Sequence, residues 1–118
     1  MRAVADAMTS VPILDASTTI QDAAAAMLDC RVEAAVIVDG EKLRGLLTAS
    51  DVAAALAEGR DAGSTPVATV SRDPPLAEAK EPLPEARQRM RAAQNSLAVV
   101  IGDDGRPVGL LADDGAAF

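Results

Sequence analysis

The amino-acid sequence repeats itself at an offset of 63 residues. Identical residues recur at this spacing in the pairs Val4 and Val67, Ala5 and Ala68, Pro12 and Pro75, Ala16 and Ala79, Ala23 and Ala86, Met27 and Met90, Ala35 and Ala98, and Val36 and Val99. One extra residue in the second copy then moves the offset to 64, where residues 45–47 and 109–111 both read Gly-Leu-Leu. A long period that is present only twice indicates a duplicated unit rather than a solenoid. Copies of about 55 residues are each marginal alone, so we expect the two to stabilise one another by packing face to face.

Both copies carry the pattern of a strand, a helix and a hairpin. In the first copy the pattern predicts a strand at 12–14, a helix at 20–30, strands at 34–38 and 43–47, and a second helix at 52–58. In the second copy it predicts a strand near Leu76, a helix at 82–93, and strands at 97–101 and 108–111. We therefore predict an α+β fold in which each copy is a βαββ(α) unit, a small three-stranded sheet flanked by helices, with the two copies packed through their sheets.

The repeat also sets the predicted boundaries. We place the first copy at 1–60, a linker rich in small residues at 61–66, and the second copy, with a truncated final helix, at 67–118. The periodicity of the first helix predicts one buried face, formed by Ile20, Ala23, Ala24, Met27 and Leu28. At the end of that helix, Cys30 is interpreted as a small buried hydrophobic residue.

Composition excludes several classes of function. The net charge of −7 and an aromatic content of 1% argue against nucleic acid as a partner. The chain has no histidine and one cysteine, so we expect no metal site, no cofactor and no internal disulfide. No nucleophile has an activating base, and we therefore expect no enzyme. Without a targeting or membrane-spanning pattern, a soluble cytoplasmic protein is the default expectation.

The corner after the first hairpin carries a recognisable motif. Residues 45–51 read Gly-Leu-Leu-Thr-Ala-Ser-Asp, and the strand before them ends in the acidic turn Asp39-Gly40. The same pieces occur in the same order in both copies, from about Val4 to Asp114. This arrangement resembles the CBS domain, and the tandem pair looks like a Bateman module.

The resemblance implies a regulatory module that binds an adenosine-containing ligand, such as AMP, ATP, ADP or S-adenosylmethionine, in the cleft between the copies. The corner aspartate, Asp51, would accept hydrogen bonds from the ribose hydroxyls, and Thr48 and Ser50 would contact ribose or phosphate. A carboxylate suits a vicinal diol because charge-assisted hydrogen bonds are strong. The facing wall, which would hold the adenine, is assigned to the other copy at Thr65, Val70, Asn95, Ser96 and Leu97.

The second corner departs from the motif. Residues 112–115 read Ala-Asp-Asp-Gly, so Ala112 replaces the threonine and the aspartate of the motif, Asp114 or its neighbour, is displaced. A shift of one residue at a helix start turns a side chain by about 100°. The wall of this second site is assigned to Val32, Glu33 and Ala34, where the acid would repel a phosphate. We therefore expect one competent site and one impaired site.

Other interpretations remain open at this point. Thr48, Ser50 and Asp51 are also good helix-capping residues and need no ligand to explain them. A ligand-free module that dimerises and binds a partner protein is the alternative function, with the helix faces formed by Ala23, Met27, Ala53, Leu56, Ala86 and Met90 pairing two modules. Four arginines could reach a phosphate, namely Arg31, Arg44, Arg60 and Arg72. Surface arginines more often maintain solubility. Under either interpretation we expect a homodimer and a regulated partner protein.

Overall fold

A computed structural model describes residues 2–112, and this part of the chain divides into two compact units. The first-copy unit runs from Val11 to Asp73. The second-copy unit combines residues 2–10 with residues 74–112. The short segment that opens each sequence copy therefore belongs to the unit of the other copy.

The first-copy unit contains one three-stranded sheet and two helices. Its elements are β1 (Ile13–Asp15), α1 (Ile20–Cys30), β2 (Ala34–Asp39), β3 (Lys42–Thr48) and α2 (Ala49–Ala57), followed by a 3₁₀ turn at Val67–Thr69. Strand β1 lies parallel to β2, and β2 lies antiparallel to β3. The hairpin turn passes through Gly40 at φ +66°, a conformation that glycine adopts without strain.

The second-copy unit repeats the order of strands and first helix as far as β6, and the truncated final helix expected after β6 lies outside the described residues. Its elements are a 3₁₀ turn at Val4–Asp6, β4 (Leu76–Glu78), α3 (Leu83–Ala92), β5 (Leu97–Ile101) and β6 (Pro107–Ala112). Strand β4 is parallel to β5, and β5 is antiparallel to β6. The predicted α+β fold, with a three-stranded sheet in each copy, is confirmed, and the element ends differ from the prediction by a few residues.

Each unit buries its own aliphatic core. In the first-copy unit Ile20, Ile37, Leu47 and Val67 are fully buried. In the second-copy unit Val4, Val100 and Leu111 are fully buried, with Met90 packed beside them. Burying one such side chain contributes about 1.5–3 kcal/mol, so aliphatic residues alone can hold each layer together without aromatic rings.

The predicted burial of the helix faces is wrong at several positions. Leu28 is 78% exposed, because the 100° step per residue carries it away from the buried face centred on Ala23 and Met27. Cys30 is also exposed, since it is the last residue of α1 and lies beyond that face. Four of the six residues proposed to pair two modules are instead buried inside their own units: Ala23, Met27, Ala86 and Met90.

The opening segments are held on the last strand of each sheet by backbone pairing. In the first-copy unit, the crossing segment (residues 67–73) lies against β3. There the Arg72 N–H donates to the Leu46 carbonyl at 3.0 Å, and the Leu46 N–H donates to the Arg72 carbonyl at 2.8 Å. In the second-copy unit Thr9 and Leu110 exchange the same two hydrogen bonds, at 2.8 and 2.9 Å. The same antiparallel backbone pairing therefore occurs in both units.

This close approach requires a glycine at the crossing. A Cβ atom on Gly45 would lie 2.8 Å from Ser71 Oγ and 3.0 Å from the Arg72 carbonyl oxygen. On Gly109 it would lie 3.0 Å from the Thr9 carbonyl oxygen. Backbone atoms cannot move aside cheaply, which explains why glycine recurs at the same place in both copies.

We predict that Gly45→Ala destabilises the protein by about 1–3 kcal/mol, because the added methyl group overpacks the crossing segment. Urea unfolding measures the change. Gly63→Ala is the matched control, since its Cβ would meet the flexible end of Gln21 at 3.3 Å rather than backbone. Equal unfolding free energies for the two variants would contradict the packing argument.

Candidate functional site

Thr48 and Asp51 form a closed hydrogen-bonded pair at the start of α2. The Asp51 N–H donates to the Thr48 hydroxyl oxygen at 3.2 Å. In return, Asp51 Oδ2 accepts from the Thr48 N–H at 2.9 Å and from the Thr48 hydroxyl at 2.9 Å. This is a reciprocal capping box, which satisfies backbone donors that the first turn of a helix leaves free.

Asp51 has a further partner outside the corner. Its Oδ1 accepts a hydrogen bond from Nη2 of Arg72, and the two side chains form an ion pair. The Asp51 side chain is only 9% exposed, whereas that of Arg72 is 63% exposed. The corner therefore holds a largely buried carboxylate whose second oxygen is covered by an exposed guanidinium group.

The surroundings of Asp51 keep it ionised. Burial removes water from the carboxyl and on its own raises the pKa. The hydrogen bond from Arg72 and those from Thr48 outweigh this effect, so the pKa of Asp51 lies below its ordinary value of 3.8. The same interaction raises the pKa of Arg72. At neutral pH the corner thus presents a charged acceptor.

The structure places the other residues assigned to the competent site as follows. Ser50 is exposed in the first turn of α2. Thr65 and Val70, which the prediction places on the wall from the other sequence copy, lie in the same compact unit as Asp51, and their contact with a ligand stays a prediction. The Thr65 carbonyl accepts from the Ile20 N–H at 3.0 Å, and Val70 packs on the core of that unit.

Asn95, Ser96 and Leu97 belong to the second-copy unit, where Leu97 begins β5 and pairs with Ala112. Asn95 is half-buried and Ser96 is exposed. Their role as an adenine wall stays a prediction.

The residues assigned to the impaired site divide between the units. Ala34 pairs with Thr48 across β2 and β3, so it is a direct neighbour of the first corner. The Glu33 carbonyl accepts from the Ala49 N–H at 2.9 Å, and Val32 is half-buried beside them. Ala112 ends β6 in the second-copy unit, and Asp114 lies outside the described residues.

Arg72 is the member of this cluster that the sequence pattern did not assign to Asp51. It was only one of four arginines within conceivable reach of a phosphate. The two residues are 21 positions apart, and their contact depends on the crossing segment returning to β3. In the second-copy unit the position equivalent to Arg72 holds Thr9, which pairs with Leu110. The position equivalent to Thr48 holds Ala112, so the described part of that corner lacks both the hydroxyl and the guanidinium group.

Two further observations concern residues 2–112 as a whole. No group of three or more cysteine, aspartate or glutamate side chains in that range is arranged to hold a metal ion. None of the helices within it combines the length and apolar character needed to span a bilayer.

The family model described as "CBS domain" matches this chain twice, at residues 4–58 and 60–114. The chain therefore belongs to the CBS domain family and contains a tandem pair of these domains. No curated protein matches it by sequence.

Three solved structures similar to this chain support the fold. Hypoxic Response Protein I, solved with two coordinated zinc ions, is 24% identical with a TM-score of 0.81, over 99% of both chains. A CBS domain protein of Pyrobaculum aerophilum complexed with AMP is 21% identical with a TM-score of 0.84, over 99% of this chain and 92% of that one. The CBS domain pair of protein MJ0100, in complex with 5′-methylthioadenosine and S-adenosyl-L-methionine, is 25% identical with a TM-score of 0.80, over 99% and 94%.

We predict that the Asp51 carboxylate makes the unfolding free energy fall at acidic pH. The pKa of Asp51 is lower in the folded than in the unfolded chain. The ionised carboxylate therefore stabilises the fold above about pH 3.8, its ordinary pKa, and this stabilisation is lost as the pH falls through its pKa in the folded protein. Urea unfolding across this range should show wild type losing its advantage over Asp51→Asn below that pH. Asp15 and Glu81 also have lowered pKa values, but they titrate in both proteins. A gap that persists at the acid end would contradict the assignment.

Proposed function

We propose that this protein is a regulatory module that binds an adenosine-containing ligand at the corner formed by Thr48 and Asp51, and that binding changes its interaction with a partner protein. The carrying observation is the buried, ionised Asp51 carboxylate beside the Thr48 hydroxyl, at the start of a helix whose N–H groups favour anions. Solved proteins of this fold were crystallised with AMP and with S-adenosyl-L-methionine, which supports the ligand class.

The two corners differ in ways that support one binding site per chain. The first corner has a hydroxyl and a carboxylate in hydrogen-bond contact, at 2.9 Å. The second has Ala112 in place of the threonine, and a methyl group cannot bind ribose or phosphate by hydrogen bonding. The proposal includes no catalytic step, because the corner brings together a cap and an ion pair rather than a nucleophile with its base.

The alternative, a ligand-free interaction module, has its own support. Asp51 already has partners on both carboxylate oxygens, as expected of a structural cap. Leu28 and Leu56 are exposed on α1 and α2, at 78% and 49%, and contact with another protein would remove both side chains from water. Both interpretations include a homodimer, and only the first requires a small molecule.

We predict that calorimetric titration with AMP, ADP, ATP and S-adenosylmethionine will show one ligand bound per chain. Asp51→Ala should weaken that binding by about tenfold or more, since a hydrogen bond to a charged group contributes about 1.5–3 kcal/mol. Asp22→Ala is the matched control. Asp22 occupies the same position in the capped first turn of α1, after Thr19, but is exposed.

Thermal melts should first establish that both variants are folded, with Asp51→Asn as the replacement if the alanine variant is not. No heat from the folded wild type with any of the four compounds would favour the interaction module. Equal ligand affinities for Asp51→Ala and Asp22→Ala would show that Asp51 does not contact the ligand.

For the homodimer, we predict that light scattering coupled to gel filtration gives twice the chain mass of 12.0 kDa. The double variant Leu28→Gln, Leu56→Gln should shift the protein towards the monomer, because it replaces exposed apolar surface on both helices with amide groups. Lys42→Gln, Arg44→Gln serves as the control, since both residues are exposed on β3 rather than on the two helices. An unchanged mass for the leucine variant would exclude this surface as the dimer contact.

A further inference from the structure

The two oxygens of Asp51 have different kinds of partner. Oδ2 is held by the Thr48 N–H and hydroxyl, both within the capping box, at 2.9 Å each. Oδ1 is held by Arg72, which reaches it from the crossing segment. Removing the partners of Oδ2 would dismantle the start of α2, whereas Oδ1 can change its partner with the cap intact. Oδ1 is therefore the oxygen available to a ligand.

Arg72 is anchored at its backbone and free at its tip. Two hydrogen bonds to Leu46 fix its main chain on β3, at 2.8 and 3.0 Å. Its side chain is nevertheless 63% exposed, and within residues 2–112 its guanidinium pairs with no protein group other than Asp51. The guanidinium can leave Oδ1 by rotation of side-chain bonds alone, and it remains within a side-chain length of the corner when it does so.

We propose that Arg72 is an exchangeable partner that makes the site selective for ligands carrying both a vicinal diol and a phosphate. On binding, the diol replaces Arg72 as the donor to Asp51 Oδ1, and the freed guanidinium pairs with the phosphate. This inference rests on the proposed function, since it concerns the same corner. It adds the residue that selects among adenosine-containing ligands.

The exchange follows from the cost of leaving charges unpaired. A largely buried carboxylate needs donors, so Arg72 can depart only when the diol takes its place. Guanidinium groups match phosphate oxygens with two parallel hydrogen bonds. A phosphate therefore replaces the ion pair with Asp51 that Arg72 loses. A neutral nucleoside supplies the diol but leaves the guanidinium without an anionic partner.

The overall charge of the protein does not explain such a preference. The chain carries a net charge of −7, which repels a phosphate at long range. Any advantage of AMP over adenosine must therefore come from local groups, namely the N–H groups at the start of α2 and a nearby cation, and only the cation is removed by substituting a side chain. Arg72 is the cation that contacts the proposed ribose acceptor.

The test is calorimetric titration of wild type, Arg72→Ala and Arg60→Ala with AMP and with adenosine. Arg60 is the matched control, because it lies in the same unit, and its exposed ion pair with Glu58 (3.5 Å) does not involve Asp51. We expect AMP to bind about tenfold or more tightly than adenosine in wild type and Arg60→Ala, a difference of about 1.4 kcal/mol. In Arg72→Ala this ratio should fall to about threefold or less, with tighter binding of adenosine.

The outcomes separate this inference from the proposed function. Binding of both compounds with the same ratio in all three proteins would overturn the exchange and leave the adenosine site in place. Binding of neither compound by any of the three would overturn both. If Arg72→Ala fails to fold in a thermal melt, Arg72→Gln replaces it, because the amide keeps much of the side-chain length without the charge.

Discussion

The backbone pairing between Arg72 and Leu46 is the constraint on which the candidate site depends. It brings the crossing segment onto β3 at Gly45, where no other residue leaves enough room. It thereby places a guanidinium group against a carboxylate 21 residues earlier in the chain. The corner is consequently made by two separate parts of the chain, a helix start and a returning segment, and its electrostatics follow from how closely these two approach.

Much of the fold could be predicted from the sequence because the duplicated pattern reports on it twice. Strands, helices and the capping residues depend on local spacing, which the repeat makes visible. The buried faces were predicted less well: Leu28 is exposed, because two neighbouring apolar residues on a helix point 100° apart and only one of them meets the sheet. Nothing in local spacing distinguishes Met27, which is buried, from its neighbour.

The candidate site shows the same limit more sharply. Thr19 and Asp22 at the start of α1 have the same spacing as Thr48 and Asp51 at the start of α2, and both threonine hydroxyls accept an aspartate N–H at 3.2 Å. Only Asp51 is buried. The motif therefore predicts the cap in both places. The difference between an ordinary cap and a charged corner comes from tertiary packing, namely from Arg72, which no short motif contains.

The exchange of opening segments between the units has a consequence for the origin of such a chain. Residues before Ser10 complete the sheet of the second copy, and residues 67–73 complete that of the first. A chain with a single copy that kept this arrangement would exchange the segment with a second molecule, as in a domain-swapped dimer. Gene fusion would then have turned an exchange between two molecules into one within a single polypeptide, and would have freed each half to change independently.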